Sequence, residues 1–202
     1  MSKKVGIIGA MSVELELLKS KLEENPAATK AGGMTFTEGK INGVSVVLVQ
    51  SGVGKVNAAL CAQRLILQFG CTHIINTGIA GAMASGLKVL DFVASTDAVY
   101  HDMDATGFGY KKTEIPQMKC SDFPADSKML EAARAAFKEF PAEHKLVFGR
   151  IATGDQFVSD KEKKSAIQET CSPACVEMEG AAVAHACWIN EIPFVIIRCM
   201  SD

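Results

Sequence analysis

Cys175 to Trp188, CVEMEGAAVAHACW, and the run Pro193 to Asp202, PFVIIRCMSD, decide how the chain is read. Glu177 and Glu179 flank Met178, and Gly180 to Ala186 are small or apolar apart from His185. Taken as a helix packed into a core, Gly180 to Asn190 has carboxylates at its entry that must be paired, hydrogen-bonded or used. If the chain enters that helix as a strand, Glu177 and Glu179 share one face while Val176 and Met178 share the other. Two readings stand: the acids complement the positive end of the helix, or they do chemistry there.

The remaining composition narrows the class. A chain of 202 residues suits one core, and 48% hydrophobic with 22% charged residues is too apolar for disorder. The formal charge of −2, with no Lys/Arg run longer than two, gives no field for a phosphate backbone, so no nucleic-acid partner is expected. Seven cysteines form no repeated CxxC pair, and Cys171 and Cys175 have no second Cys/His pair at zinc spacing. Reduced, mostly buried thiols and no metal are expected. The start, MSKKVGIIGAM, enters a strand-like run without a signal-peptide pattern, and no run reaches the ~18 to 20 apolar residues of a membrane span. A cytoplasmic protein with no membrane partner is expected.

Taken in order, Val5, Ile7 and Ile8 predict a buried strand ending at Gly9, and Ser12 is placed to cap a helix to about Glu24, with Leu15, Leu18 and Leu22 on one face. Glu14 falls in the first turn of that helix, where it either answers the helix dipole or serves as a general base at the mouth of an α/β sheet. Met34 to Ile41 and Val44 to Gln50 flank Asn42-Gly43, a hairpin signal. The loop Ser51-Gly-Val-Gly-Lys55 precedes a helix of about Val56 to Phe69. It lacks the residues of a P-loop, yet a glycine loop at that position brings backbone N–H groups near a ligand. His73 to Thr77 predicts a strand opening into a turn, Gly78-Ile-Ala-Gly81, and Leu90 to Val99 another strand.

Tyr100 to Tyr110, YHDMDATGFGY, carries His101, Asp102 and Asp104, too sparse a set for a metal site. The aperiodic stretch Gly107 to Pro124 reads as a lid or an intersubunit arm. Asp126 to Phe140 predicts an amphipathic helix and Lys145 to Ala152 a strand running into TGDQFV, where Phe157 is either core or a stacking platform for a planar ligand. Strands alternating with helices, with one inserted hairpin, predict a three-layer α/β single domain with a mixed central sheet flanked by helices. Its strand ends are expected to gather Glu14, Gly78 to Gly81, Phe157, Glu177 to Glu179 and Arg198 to Asp202.

Collected, GIIGAM with Glu14, SGVGKVNAA, INTGIAGAM, YHDMDATGFGY, TGDQF, VEMEGAAVAH and RCMSD resemble the 5′-methylthioadenosine/S-adenosylhomocysteine nucleosidases of the nucleoside phosphorylase superfamily, over residues 5 to 202. The resemblance implies a nucleoside phosphorylase-like fold and hydrolysis of the N-glycosidic bond of an adenine thionucleoside, releasing adenine and a 5-thioribose in methionine salvage, with no cofactor. It places the general base at Glu14 and the general acid at Asp202, with Arg198 and Ser201 ordering acid and water. Glu179 would meet the ribose hydroxyls with Met178 packed on the sugar, and Phe157 and Val158 would meet the base. Met11, Val53, Ile79, Ala80, Gly81 and Glu177 would complete the substrate site. It also implies a homodimer whose neighbour supplies Ala105, Phe108 and Tyr110 near the 5′-thio group. Ile79 stands where many relatives carry a small hydroxyl residue, which bears on substrate preference. Family members continue past the catalytic Asp into a helix covering the sheet, so residues 1–202 are expected to lack that C-terminal helix.

The residue types suit the reaction. Breaking the C1′–N9 bond leaves positive charge on the ribosyl ring and negative charge on the purine. An acid at the purine and a carboxylate at the ribose answer these two charges. Alternatives are a phosphorolytic relative, which needs an anion site that Lys55 alone scarcely provides, a futalosine-type nucleosidase, and a nucleoside-binding protein without turnover.

Overall fold

β1, Lys4–Gly9, is buried along nearly its whole length, and its side chains alternate between two cores. Val5 and Ile7 pack with Leu15, Val46 and Leu48 on one face, while Ile8 joins Val47, Val49 and Ile74 on the other. Both faces of the strand are therefore covered by helices, as parallel strands require. The computed structural model describes residues 3–23, 25–141 and 143–202.

Nine further strands follow: β2 Ala27–Ala31, β3 Met34–Ile41, β4 Val44–Gln50, β5 His73–Ala82, β6 Phe92–Tyr100, β7 Phe123–Pro124, β8 Leu146–Thr153, β9 Cys175–Glu177 and β10 Phe194–Met200. The α-helices are α1 Glu16–Ser20, α2 Lys55–Leu67, α3 Ser127–Phe137, α4 Lys161–Cys171 and α5 Gly180–Ile189. The sheet runs β10-β6-β8-β9-β5-β1-β4-β3-β2, with β7 on β6, and β10 also pairs with β5. That additional pairing closes β5, β10, β6, β8 and β9 into a ring, from which β1, β4, β3 and β2 extend as an open wing. The expected mixed α/β sheet with flanking helices is present; its closure on itself was not foreseen.

The hairpin forms as expected. Ile41 pairs with Val44, and Asn42 and Gly43 both take positive φ, 49° and 74°, the twist that a two-residue turn demands. α2 supplies Ala58, Cys61, Ala62 and Leu65 to the main core and lies against α5, whose Gly180 to Ala184 are all buried. Phe36 and Phe69 stack in that core at 4.4 Å between ring centroids. His185, the polar exception of α5, faces the Tyr100 hydroxyl through Nδ1 at 3.2 Å and stacks on Phe123.

Three expectations are corrected. The helix after β1 does not start from a Ser12 cap: Met11 holds the extended N-cap position, Ser12–Leu15 is a 3₁₀ turn, and α1 ends at Ser20. Glu23 N–H is taken by Lys40 O, at 2.9 Å, which pulls the chain to the hairpin; Glu24, the expected helix end, lies outside the described residues. β2 was missed because AATKA has little strand propensity and is held by pairing with β3 alone. Gly78 to Gly81 is no turn. β5 runs through it, with Ala80 paired to Met200 on one edge and Gly81 to Val176 on the other.

The stretch from Gly107 to Pro124 is largely irregular, with a 3₁₀ turn at Thr106–Phe108. Arg150 clamps it to β6, reaching Asp97 at 2.5 Å and Asp122 at 2.9 Å. No helix among the described residues is long and apolar enough to cross a membrane.

A Cβ at Gly43 would meet nothing within 4 Å, so Gly43→Ala tests backbone conformation alone. The left-handed geometry should cost about 1–2 kcal/mol, read as a lower urea midpoint with an unchanged slope.

Candidate active site

One cavity of about 280 Å³ is lined by Glu14 after β1, Val53 of the glycine loop, Ile79 to Gly81 of β5, Gln156 to Val158 after β8, Val176 to Glu179 and Ser201-Asp202, with Ala10 and Met11. Among the described residues its lining holds four carboxylate side chains and no Lys, Arg or His. It is a compact, acidic pocket. Of the residues singled out from sequence, Arg198 lies behind this wall, and Ala105, Phe108 and Tyr110 lie outside the lining of their own chain's cavity. Phe108 is 87% exposed. Ala10, Gln156 and Val176 also line the pocket; they lie within GIIGAM, TGDQF and VEMEGAAVAH but were not singled out, since a motif alone does not show which of its members face the cavity.

Glu14 is fixed by two backbone donors: Met11 N–H reaches Oε2 at 2.9 Å and Ile79 N–H reaches Oε1 at 3.1 Å. A carboxylate has about four acceptor positions, so half its capacity remains for a ligand. Gly78 makes this placement feasible. A Cβ there would lie 2.5 Å from Glu14 Oε1 and 3.0 Å from its carboxyl carbon. The glycines of β5 are thus explained by close approach of acids, since Gly81 likewise faces Asp202 Oδ1, 3.2 Å from an added Cβ.

Glu179 is almost wholly buried, with Oε1 accepting from Gly54 N–H at 2.8 Å and Oε2 lying 4.0 Å from Arg198 Nη2. Burial raises its pKa, as do neighbouring Glu177 and Glu14, while the Gly54 N–H and Arg198 pull the other way. The glycine loop therefore serves the protein's own carboxylate: Gly54 N–H is given to Glu179 and Lys55 N–H to Asp155 Oδ1, at 2.9 Å. The Lys55 ammonium is bound to Asp102 at 2.7 Å and lies 3.7 Å from Asp155. Asp104 turns back onto Thr106.

Glu177 is more fully engaged. Thr153 Oγ1 donates to its Oε1, and Arg198 Nη2 to its Oε2. Oε2 also accepts from Glu179 N–H at 3.1 Å and Gly180 N–H at 2.7 Å, capping α5. Arg198 is 1% exposed, and its Nη2 also donates to Asn76 Oδ1 at 2.6 Å. Asn76 and Thr153 fall within INTGIAGAM and TGDQF but were not singled out, because nothing local shows which partner a polar residue in an apolar strand will meet.

Phe157 stands at the pocket 83% exposed beside buried Val158. Asp202 Oδ1 accepts from Ser201 Oγ at 3.2 Å, and Oδ2 lies 3.2 Å from Lys164 Nζ. Ser201 N–H is held by Ala80 O at 3.0 Å, tying the end of β10 to β5.

The phosphorylase superfamily model matches residues 4–202. A 5′-methylthioadenosine/S-adenosylhomocysteine nucleosidase of Treponema pallidum is 41% identical, over 98% of this chain and 80% of its own length. The crystal structure of the nucleosidase of that name from Colwellia psychrerythraea, in complex with adenine, superposes with a TM-score of 0.95 at 41% identity, covering 100% of this chain and 83% of that one. The futalosine hydrolase of Helicobacter pylori superposes with a TM-score of 0.94 at 30% identity, covering 100% of this chain and 85% of that one.

The raised pKa of Glu179 sets a pH signature. The folded chain holds this proton more tightly than the unfolded chain, where glutamate titrates near about 4.3, so its contribution to stability falls as pH rises from there through the raised folded value. Glu179→Gln removes that loss. The stability difference, variant minus wild type, should grow with pH across this window and then level off in urea unfolding series.

Proposed function

The chain belongs to the phosphorylase superfamily and, within it, to the 5′-methylthioadenosine/S-adenosylhomocysteine nucleosidases, and we propose that it hydrolyses the N-glycosidic bond of both nucleosides. The products are adenine and the 5-thio-substituted ribose. Residues 1–202 form a single nucleoside phosphorylase-like domain without the C-terminal helix of the family in this reading, and the enzyme serves methionine salvage in the cytoplasm.

The observation that carries the hydrolytic reading is the acidic lining of the pocket. A phosphorolytic enzyme must bring phosphate to C1′, whereas Glu14 stands in the wall here and the cations near it are held by carboxylates, Lys55 by Asp102 and Asp155 and Lys164 by Asp202. Water is the nucleophile that such a pocket tolerates. Glu14, held by two N–H groups with acceptor capacity left, takes its proton as general base. Asp202, across the pocket and hydrogen-bonded by Ser201, protonates the departing adenine. Arg198 acts from behind the wall through Glu177 and Glu179.

In this reading Glu179, a carboxylate of the pocket wall, accepts from the ribose 2′ and 3′ hydroxyls and stabilises the cationic sugar, with Met178 against the ring. The exposed face of Phe157 stacks on adenine, and Met11, Val53, Ile79, Ala80, Gly81 and Val158 enclose the remainder. In a homodimer, Phe108, exposed in its own chain, would reach with Ala105 and Tyr110 of the partner subunit over the 5′-thio end. The fold likeness to the futalosine hydrolase supports a second reading, in which the 5′ pocket accepts a larger substituent.

Adenine release from 5′-methylthioadenosine should proceed at the same rate with and without phosphate, giving methylthioribose by chromatography; a phosphate requirement would reassign the chain as a phosphorylase. Glu14→Gln should lower kcat by at least about 10²-fold while leaving substrate affinity within a few-fold. Gly78→Ala, which intrudes on the Glu14 carboxylate, should lower kcat similarly without lowering the urea midpoint by as much as a core truncation does.

A further inference from the structure

We propose that Thr153, at the end of β8, is a positioning residue for the ribose-binding carboxylate Glu179, acting through Glu177. Pairing of β8 with β9 sets Thr153 opposite Glu177. Its single hydroxyl is used in both directions, donating to Glu177 Oε1 and accepting from Ala181 N–H at 2.8 Å. Thr153 is fully buried, so neither bond has water as a substitute.

The consequence runs directly to Glu179. Glu177 Oε2 holds the Glu179 and Gly180 N–H groups and Arg198, and the Arg198 guanidinium is anchored on its far side by Asn76. Glu177 thus grips the Glu179 backbone from below, while Gly54 N–H grips its side chain from above. Thr153 fixes the rotation of the Glu177 carboxylate, because it occupies the oxygen that Arg198 and the helix N–H groups leave. Without it the carboxylate can turn and the start of α5 loses both the Ala181 cap and the Glu177 alignment. Glu177 accepts four hydrogen bonds, the whole acceptor capacity of a carboxylate, whereas Glu14 accepts two, so Glu177 acts on substrate only through Glu179.

This rests on the reading that Glu179 binds the ribose hydroxyls, and the test separates the two. Thr153→Val, Thr153→Ser and Glu179→Gln are compared on 5′-methylthioadenosine and on its 2′,3′-dideoxy analogue, with adenine binding measured by calorimetry. Thr153→Val should lower kcat/KM on the full nucleoside by about 10- to 100-fold, by only a few-fold on the dideoxy analogue, and leave adenine affinity unchanged. Thr153→Ser, which keeps a hydroxyl donor and acceptor, should restore the wild-type ratio between the two substrates. Equal losses for Thr153→Val on both substrates, with Glu179→Gln still discriminating between them, would overturn the proposal. A Glu179→Gln loss that is equal on both would overturn the ribose reading itself. If Thr153→Val does not fold, Thr153→Ala removes the same hydroxyl without a new methyl clash and carries the same comparison.

Discussion

Burial of the Arg198 guanidinium against Glu177 is the constraint on which the site depends. A charge this deep must be paired and hydrogen-bonded, and the network around it draws on five parts of the chain: Asn76 of β5, Thr153 of β8, Glu177 of β9, the first N–H groups of α5, and Arg198 itself on β10. These strands are four of the five members of the closed ring of the sheet, β6 being the fifth. The ion pair and the ring are therefore mutually dependent. The pairing of β10 with β5 brings Arg198 under the cavity, and the charge it carries is satisfied only if β8 and β9 close on the other side.

Above that pair the pocket is acidic, with Glu14, Glu179 and Asp202 at its wall. Carboxylates gathered in one cavity repel each other, and the protein contains that repulsion by supplying donors to each: Met11 and Ile79 N–H to Glu14, Gly54 N–H to Glu179, and Ser201 to Asp202. Most of these donors are backbone groups, which bring partial positive charge; the cation among the partners, Lys164, is held by Asp202 Oδ2 at 3.2 Å. An acidic lining, without Lys, Arg or His among the described residues, suits a reaction that builds positive charge on a sugar ring.

The glycines show how function and packing share one sequence feature. Gly78 and Gly81 read as a turn in the sequence, because glycine usually marks a change of direction. In the fold they lie within β5 in extended conformation, and their missing side chains are the space that Glu14 and Asp202 occupy. Gly54 does match the ordinary expectation, with φ of 98° at the entry to α2. A glycine's role as a bend or as a clearance is invisible until its cross-chain neighbour is known.

The sequence by itself determined the elements and the residue types of the pocket. Short apolar runs rich in β-formers marked β1, β4, β8 and β10, Asn42-Gly43 marked the hairpin, and the apolar run after Glu179 marked α5 as a core helix, all because local backbone preference is encoded along the chain. Glu14, Glu179 and Phe157 were legible as candidates from their places beside strand ends, with Phe157 left open between core and stacking platform, and the family resemblance gave Asp202 its role. Only the tertiary structure decided that Glu177 faces Arg198 while Glu179 faces the cavity, although both were expected on one strand face. Glu179 escapes that alternation because the chain leaves β9 at Glu177 and turns into α5. Only the fold, too, revealed Asn76 and Thr153, single polar residues whose partners lie 122 and 24 positions away. Hydrogen bonds of that range leave no periodic trace in sequence, since they are fixed by strand register and not by spacing.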